Sequence, residues 1–356
     1  MLGGGSAEMD RISRSEAQQR NRARVLAAAR DEFAERGYRD ATVDRIAERA
    51  ALTRGAVYSN FAGKRALYFS VLAEDADESA AEPRPGDTVP DALGALAHAW
   101  LARLPLTGES GAAVIGRDLM PEIMADAATR EAYAQVLVVQ SLVLGLALES
   151  LDPNGGRRVP TAAAALTTLH GAGQLAAAAP GFADPFDVVA VCRGLAGLDL
   201  GADWHPPYAE HVVPARPADE PWSPPPGVDA LRAAPVTPTG DGVVAVLGLH
   251  RLEAVEEAVR LTPHQEVTAV VVTGEPRELG PLVRLGLAEL RTCLRHAVPA
   301  AHLPRLRVVH DESGALAAAA GIRAVSDATE SAVRVRAGRI VARADGRGAC
   351  HAVARR

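Results

Sequence analysis

Polar side chains of several kinds lie close together between residues 42 and 64, around one short helix. Thr53 is expected to cap that helix, RGAVYSNF, and Gly55 would let its backbone come close to a ligand. Hydroxyl, guanidinium, phenol and amide groups on such a helix can hydrogen-bond the base edges and phosphate oxygens of duplex DNA. The polar residues expected to be exposed on this helix are Arg54, Tyr58, Ser59 and Asn60.

The charge of the chain is divided unevenly along its length. Residues 11–70 hold 13 basic and 7 acidic side chains, which gives this segment a net charge of +6. The whole chain carries −6, so the rest of it is acidic. A basic segment on an acidic body is what phosphate contact by one domain requires.

Amphipathic helices are expected to hold the polar residues in place. A capping box at Ser13 and Glu16 predicts the start of a first helix, which ends near Gly37. Thr42 is expected to cap a second helix, and a break at Ala51-Leu52 separates that helix from the third.

The fourth helix is expected to open at Lys64, the only lysine of the chain. Its ammonium group would lie where it can meet the phosphate backbone. Phe61, by contrast, is assigned to the core, because an aromatic residue three positions after Tyr58 and close to Val57 is expected to pack against the first helix.

This segment resembles the DNA-binding domain of the TetR family of repressors over residues 24–72. The resemblance rests on Gly37-Tyr38, Thr42, Ile46-Ala47, Thr53-Arg54-Gly55, Val57-Tyr58, Phe61, Lys64 and Leu67. The resemblance implies a helix-turn-helix in which Thr42, Thr53, Arg54, Gly55, Tyr58, Asn60 and Lys64 face DNA. Together with Ser59, these are the predicted contact residues. Ser59-Asn60 departs from the family pattern, in which an aromatic residue followed by histidine is frequent, so base preference does not carry over. The alternative, a helical bundle that contacts only proteins, predicts no salt-sensitive DNA affinity.

Residues 88–203 are rich in alanine and leucine, which predicts an all-helical domain. By the same resemblance, this domain would bind a small-molecule effector and form a homodimer through its last two helices, although those helices could instead bury against their own domain. A two-fold dimer would read a palindromic operator. Helices are expected at about 90–104, 114–125, 129–151, 161–178 and 185–198, the last of them capped by Asp184-Pro185.

Aromatic, histidine and methionine side chains of this domain are candidates for an effector pocket, although each is also a reasonable core residue. Their mostly apolar character predicts a hydrophobic effector. The candidates are His98, Trp100, Met120, Met124, Tyr133 and His170.

The remainder of the chain changes character twice. Residues 204–240 hold ten of the chain's 24 prolines and predict an extended linker that folds poorly. Residues 241–356 alternate between strand-like and helix-like segments and end in a hairpin at Ala337-Gly338, which predicts an α/β domain. This order resembles a thioredoxin-like domain of the peroxiredoxin branch, on His310-Asp311-Glu312-Ser313-Gly314, Ala320-Gly321-Ile322 and Gly338-Arg339-Ile340-Val341.

The redox chemistry of that branch needs a cysteine at the start of the helix after the first strand, where the thiol pKa is lowered. His250-Arg251-Leu252-Glu253 stands there instead, and Ser326-Asp327-Ala328 replaces the proline before the hairpin. A non-catalytic domain is therefore expected. The alternative is a redox-linked regulator or thiol peroxidase that uses Cys293 or Cys350.

No cofactor, metal or enzymatic activity is expected. Cys192, Cys293 and Cys350 lie far apart, and the ten histidines lack ligand spacing. The sequence lacks a signal-peptide pattern or a long uninterrupted apolar run, which predicts a cytoplasmic protein without a membrane partner. The sequence thus predicts a multi-domain protein, with a DNA-binding domain at 13–75 and a helical domain at 88–203. The resemblance to the TetR family implies a repressor function.

Overall fold

The computed structural model describes residues 4–77, 82–104, 115–200, 204–205 and 212–355, with the backbone alone for residues 4–15. The first part of the chain is helical throughout these ranges. Its helices are α1 (Gly4–Asp40), α2 (Val43–Arg49), α3 (Arg54–Asn60), α4 (Lys64–Asp77), α5 (Val89–Leu101), α6 (Leu119–Met124), α7 (Ala127–Leu151), α8 (Val159–Ala178) and α9 (Pro185–Gly194).

Helix α1 begins at Gly4, so the capping box predicted at Ser13 and Glu16 lies inside a continuous helix and that prediction is wrong. The sequence has no proline or glycine between residues 6 and 36, so nothing interrupts the helix. Regular helical dihedral angles stop at Gly37, where φ is 70°. Glycine adopts this left-handed conformation without a steric cost, so the straight helix ends where expected.

Three other predicted helix caps, at Thr42, Thr53 and Asp184, are present. The Thr42 and Thr53 hydroxyl oxygens accept hydrogen bonds from backbone N–H groups in the first turns of α2 and α3. Asp184 does the same for α9, where it accepts from the Phe186 N–H at 2.8 Å. The helices predicted in the 88–203 region are present; only residue 114 of the second of them lies outside the described residues.

The second part of the chain forms an eight-stranded sheet in the order β1-β8-β7-β4-β5-β6-β2-β3. Strands β4, β5 and β6 are parallel, and the β7–β8 hairpin turns at Ala337-Gly338 as predicted. The strands are β1 (Arg216–Pro221), β2 (Gly227–Asp229), β3 (Ala234–Val236), β4 (Gly242–Gly248), β5 (Glu266–Val272), β6 (Leu306–His310), β7 (Glu330–Arg336) and β8 (Arg339–Asp345), and the helices are α10 (Val255–Leu261), α11 (Gly280–Ala297), α12 (Ala315–Ala319) and α13 (Ala349–Ala354).

The predicted linker is part of this sheet, so that prediction is wrong over residues 216–236. Strands β1 and β3 are the two edges of the sheet, which are the positions where a strand tolerates proline. Trp222 also anchors the segment, since its buried indole N–H donates to the Pro238 carbonyl oxygen at 2.6 Å. Residues 206–211, which belong to the same predicted linker, lie outside the described residues.

Helix α11 joins the sheet to the helical part. Nearly all of its side chains are buried, and it packs against α4, α5 and α7. The Gln140 side-chain N–H of α7 donates to the Gly286 carbonyl oxygen of α11 at 2.8 Å, and a Cβ atom at Gly286 would overlap Val136. One hydrophobic core therefore continues from α1 to α13, whereas the sequence predicted a separate domain behind a linker.

By length and composition, α7 is the one helix among the described residues that could cross a membrane. Of its most apolar window, 56% is buried inside the protein. Core helices of soluble proteins pass the same test of length and composition, so this is weak support for a membrane span.

Candidate nucleic-acid interface

Six of the predicted contact residues are exposed, on α3 and at the caps that precede α2 and α3. The exposed residues are Thr42, Thr53, Arg54, Gly55, Tyr58 and Ser59. Asn60 and Lys64 are half-buried. The structure thus brings most of the predicted surface together on one side of the helix-turn-helix.

The turn between α2 and α3 fixes this surface. Ala51 adopts a φ of 49°, in the left-handed region, and its N–H donates to the Glu48 carbonyl oxygen. Ile46 and Val57 are buried on the inner faces of the two helices. Phe61 is 3% exposed, as its assignment to the core predicted. These core contacts hold α3 with its polar side chains turned outward.

Arg54 is the most accessible charged group of the predicted surface. Its side chain is 61% exposed and lies 3.3 Å from the Asp44 carboxylate. The guanidinium also donates to the Tyr58 hydroxyl at 3.5 Å. Exposed ion pairs contribute little free energy, so Arg54 can exchange these partners for a phosphate or a base edge at small cost.

Lys64 has a different role from the predicted phosphate contact. Its Nζ donates to the backbone oxygens of Tyr38 at 2.8 Å, Ala41 at 3.0 Å and Arg39 at 3.3 Å. An ammonium group has three donors, and all three are used here. The Nζ atom also lies 4.3 Å from the centre of the Tyr38 ring. The half-buried Lys64 therefore closes the C-terminal end of α1.

Ser59 and Asn60 also make local contacts. The Ser59 hydroxyl donates to the Ala56 carbonyl oxygen at 2.9 Å, and the Asn60 amide donates to the same oxygen at 2.8 Å. Both donors are folded back onto α3. The acceptor oxygens of these side chains remain for an outside partner.

Sequence analysis missed Arg277, which reaches α3 from the α/β part. Its Nη2 donates to the Tyr58 carbonyl oxygen at 2.8 Å. The contact joins residues far apart in the chain, so no local pattern could have indicated it. Arg277 lies in the turn that precedes α11, a helix that the sequence analysis did not assign.

Three of the six candidate effector residues lie together. The Trp100 and His170 rings are 4.7 Å apart, and the Tyr133 hydroxyl lies 3.5 Å from the His170 Nδ1. Burial lowers the pKa of His170 to about 4. Met120 is half-buried beside the same core.

The other two candidates do not fit an enclosed pocket. His98 and Met124 are exposed, so the prediction that they line a cavity is wrong. Both lie on outward faces of their helices. A shallow apolar depression lies instead between α5, α8 and α9, and it is lined by Leu101, Leu104, Ala172, Ala176, Ala179, Pro180, Gly181, Ala183, Pro185 and Val188.

His250 stands at the position expected for a redox cysteine, and it contacts two other segments of the chain. The His250 N–H donates to the Asp327 carbonyl oxygen at 2.7 Å, and its ring Nε2 lies 3.2 Å from the Glu131 carboxylate of α7. The cysteines are buried, and burial raises the pKa of the Cys293 thiol to about 12. A thiol in this state is a poor nucleophile. Among the described residues, no group of His, Cys, Asp or Glu is arranged to hold a metal ion.

The geometry of α2 and α3 defines a helix-turn-helix DNA-binding domain. Comparison with known families agrees, because residues 25–71 match the family described as bacterial regulatory proteins, tetR family. This segment is therefore a TetR-family DNA-binding domain. The match ends at residue 71 and leaves the α/β part without a family assignment.

Several characterised regulators are similar to part of the chain. It is 45% identical over 65 residues to the HTH-type transcriptional regulator SrpR of Pseudomonas putida. The matched segment is 18% of this chain and 30% of the relative. It is 36% identical over 74 residues to the HTH-type transcriptional activator FasR of Mycolicibacterium smegmatis, a segment that is 21% of this chain and 32% of that relative. It is 37% identical over 91 residues to the HTH-type transcriptional repressor AcnR of Corynebacterium diphtheriae, a segment that is 24% of this chain and 48% of that relative. The chain thus spans less than half the length of these relatives.

Proposed function

We propose that this protein is a dimeric transcription regulator that binds a palindromic operator through the exposed face of α2 and α3. The observation that carries the proposal is this face itself, which exposes hydroxyl groups and the Arg54 guanidinium within the segment that matches the TetR family. Two-fold symmetry would present two such faces to half-sites about 34 Å apart or a multiple of that distance.

The surface of α8 and α9 supports the homodimer. Helix α8 contains no charged residue, although one side of it is open to solvent. Leu175, Phe182, Phe186 and Val191 are exposed on α8, α9 and their connection. An uncharged helix face with exposed aromatic residues is typical of a surface that is covered by a partner. A second copy of the chain is the occupant that we propose, since an isologous contact pairs this face with itself.

The cluster of Trp100, Tyr133 and His170 supports a small-molecule effector. These rings lie inside the helical part and combine apolar surface with the polar atoms of a phenol, an imidazole and an indole, as in sites for largely apolar ligands. An effector that binds better to a dimer with wrongly spaced DNA-binding domains would release the operator. Repression is the mode that we propose, although the relatives include one named as an activator. The site of action would be the cytoplasm.

For the α/β part we propose a non-catalytic thioredoxin-like unit. Its β4-α10-β5 unit and its β7-β8 hairpin, which is followed by α13, support this assignment. The buried thiols argue against the alternative of a thiol peroxidase. Peroxide turnover that disappears in Cys293→Ser or Cys350→Ser would establish that alternative.

Selection from a pool of random DNA duplexes with the full-length protein tests the proposal. The expected product is a palindrome that binds two protomers, measured by gel shift and by the mass of the complex. Enrichment of no sequence, or of an asymmetric site that binds one protomer, would contradict it.

A further inference from the structure

The C-terminal end of α3 is held by arginines from two distant parts of the chain. Arg277 donates from Nη2 to the backbone oxygens of Tyr58 at 2.8 Å and Ser59 at 3.5 Å. Arg22 of α1 donates to the backbone oxygen of the next residue, Asn60, at 3.4 Å. Three consecutive carbonyl groups are therefore covered by two guanidinium groups.

These contacts matter because α3 is short. The last carbonyl groups of a helix have no donor within the helix, and they favour a cation beside them. A helix of seven residues has little stability of its own and takes its geometry from its neighbours. The position of α3 thus depends on what holds its two ends.

Arg277 lies in the turn before α11, and hydrogen bonds hold both this turn and the helix in place. Two residues further on, the Leu279 N–H donates to the Glu275 carbonyl oxygen at 2.9 Å, which closes the turn before α11. Helix α11 is then bound to α4, where the Thr292 hydroxyl donates to the Ala76 carbonyl oxygen at 2.9 Å. It is bound to α7 through the hydrogen bond from Gln140 to Gly286. Arg277 is therefore fixed relative to the helical part.

We infer that Arg277 is a positioning residue for the DNA-reading helix α3. It holds the C-terminal end of α3 at the angle that the operator requires, and it acts through α3 without contact to DNA. Its neighbours Glu275 and Glu278 are exposed, and their charges disfavour a phosphate at the same place. This inference rests on the proposed DNA-binding function and gives the α/β part a role in it.

Hydrogen exchange in the full-length protein without DNA tests the contact directly. In Arg277→Gln, exchange of the α3 amides should become faster by about threefold to tenfold, since a hydrogen bond from a charged donor is lost. Exchange in α8 should not change. Arg277→Lys keeps the charge and should restore most of the protection. The matched control is Arg305→Gln, which removes another exposed arginine whose Nη1 donates to a backbone oxygen, that of His264, at 3.1 Å.

Binding to the selected operator completes the test. Arg277→Gln should bind more weakly, by about threefold to tenfold, while Arg305→Gln should bind like the wild type. Unchanged exchange in α3 overturns the inference, and so does faster exchange with unchanged DNA affinity. Loss of affinity with unchanged exchange and a salt slope reduced by about one would indicate a direct phosphate contact and would also overturn it. Failure of the wild type to bind DNA would reject the proposed function, and with it the role of Arg277 in DNA reading; the exchange result would then report on the contact alone.

Discussion

The Lys64 ammonium nitrogen and the Tyr38 backbone oxygen lie 2.8 Å apart, so the first residue of α4 is tied to the end of α1. Charge-assisted hydrogen bonds to carbonyl groups contribute more than neutral ones. This contact therefore connects the two helices that enclose the DNA-binding core.

Lys64→Met should lower the free energy of unfolding by about 1 to 3 kcal/mol, because a charged donor and its partners lose their hydrogen bonds. DNA affinity should fall through the displaced α1–α4 junction, with an unchanged slope of log affinity against log salt. Urea unfolding and binding across a salt series measure the two effects. A slope reduced by about one, with unchanged stability, would mean that Lys64 contacts phosphate after all.

Gly286→Val should strain the junction of the two parts of the chain. The added side chain would overlap Val136 of α7, and overpacking of this kind costs about 1 to 3 kcal/mol. Because one core is shared, circular dichroism and tryptophan fluorescence should report one common urea transition at a lower midpoint. Gly116→Ala is the control, since a Cβ there meets nothing within 4 Å. Separate transitions for the two probes would contradict the shared core.

The buried His170 should make stability depend on pH. Burial lowers its pKa from the ordinary value of 6.5 to about 4, so the unfolded chain binds more protons between these two pH values. Stability should therefore fall as the pH drops through this window, by on the order of 2 kcal/mol. His170→Asn should flatten this part of the urea midpoint profile. An identical profile for His170→Asn and the wild type would argue against a buried neutral imidazole.

Phe186→Glu should weaken the proposed dimer. The Phe186 side chain is 79% exposed on α9, and a buried unpaired carboxylate at a dimer interface would be costly. Light scattering should give a monomer mass at concentrations at which the wild type is a dimer. Val228→Glu, at an exposed apolar position on β2, is the control. A monomeric wild type would contradict the proposed dimer. A Phe186→Glu dimer of unchanged stability would show that Phe186 of α9 does not lie in the dimer interface.

Local signals in the sequence predicted the helix caps and the hairpin. Thr42, Thr53 and Asp184 cap the helices they were expected to cap, because a cap depends on residues two or three positions away. The turn at Ala337-Gly338 is equally local. The exposed side of α2 and α3 followed from the spacing of apolar residues such as Ile46 and Val57.

Apart from the capping box predicted at Ser13 and Glu16, the main errors involve contacts between distant segments. The proline-rich strands could be recognised only as sheet edges, which requires the partners β8 and β2. The role of Lys64 depends on three carbonyl groups more than 20 residues earlier in the chain. Arg277 contacts α3, and helix α11 packs against α4 and α7. None of these helices is near Arg277 or α11 in sequence, so the sequence did not indicate the contacts.

The most direct test of the central claim is a salt series of DNA affinity for the wild type and Arg54→Ala on the selected operator, with Arg305→Ala as a matched control. A wild-type affinity that falls steeply with salt, together with a loss of about 1 to 3 kcal/mol confined to Arg54→Ala, is the predicted result. Equal affinities for all three proteins, or affinities without salt dependence, would contradict a DNA-binding face on α2 and α3.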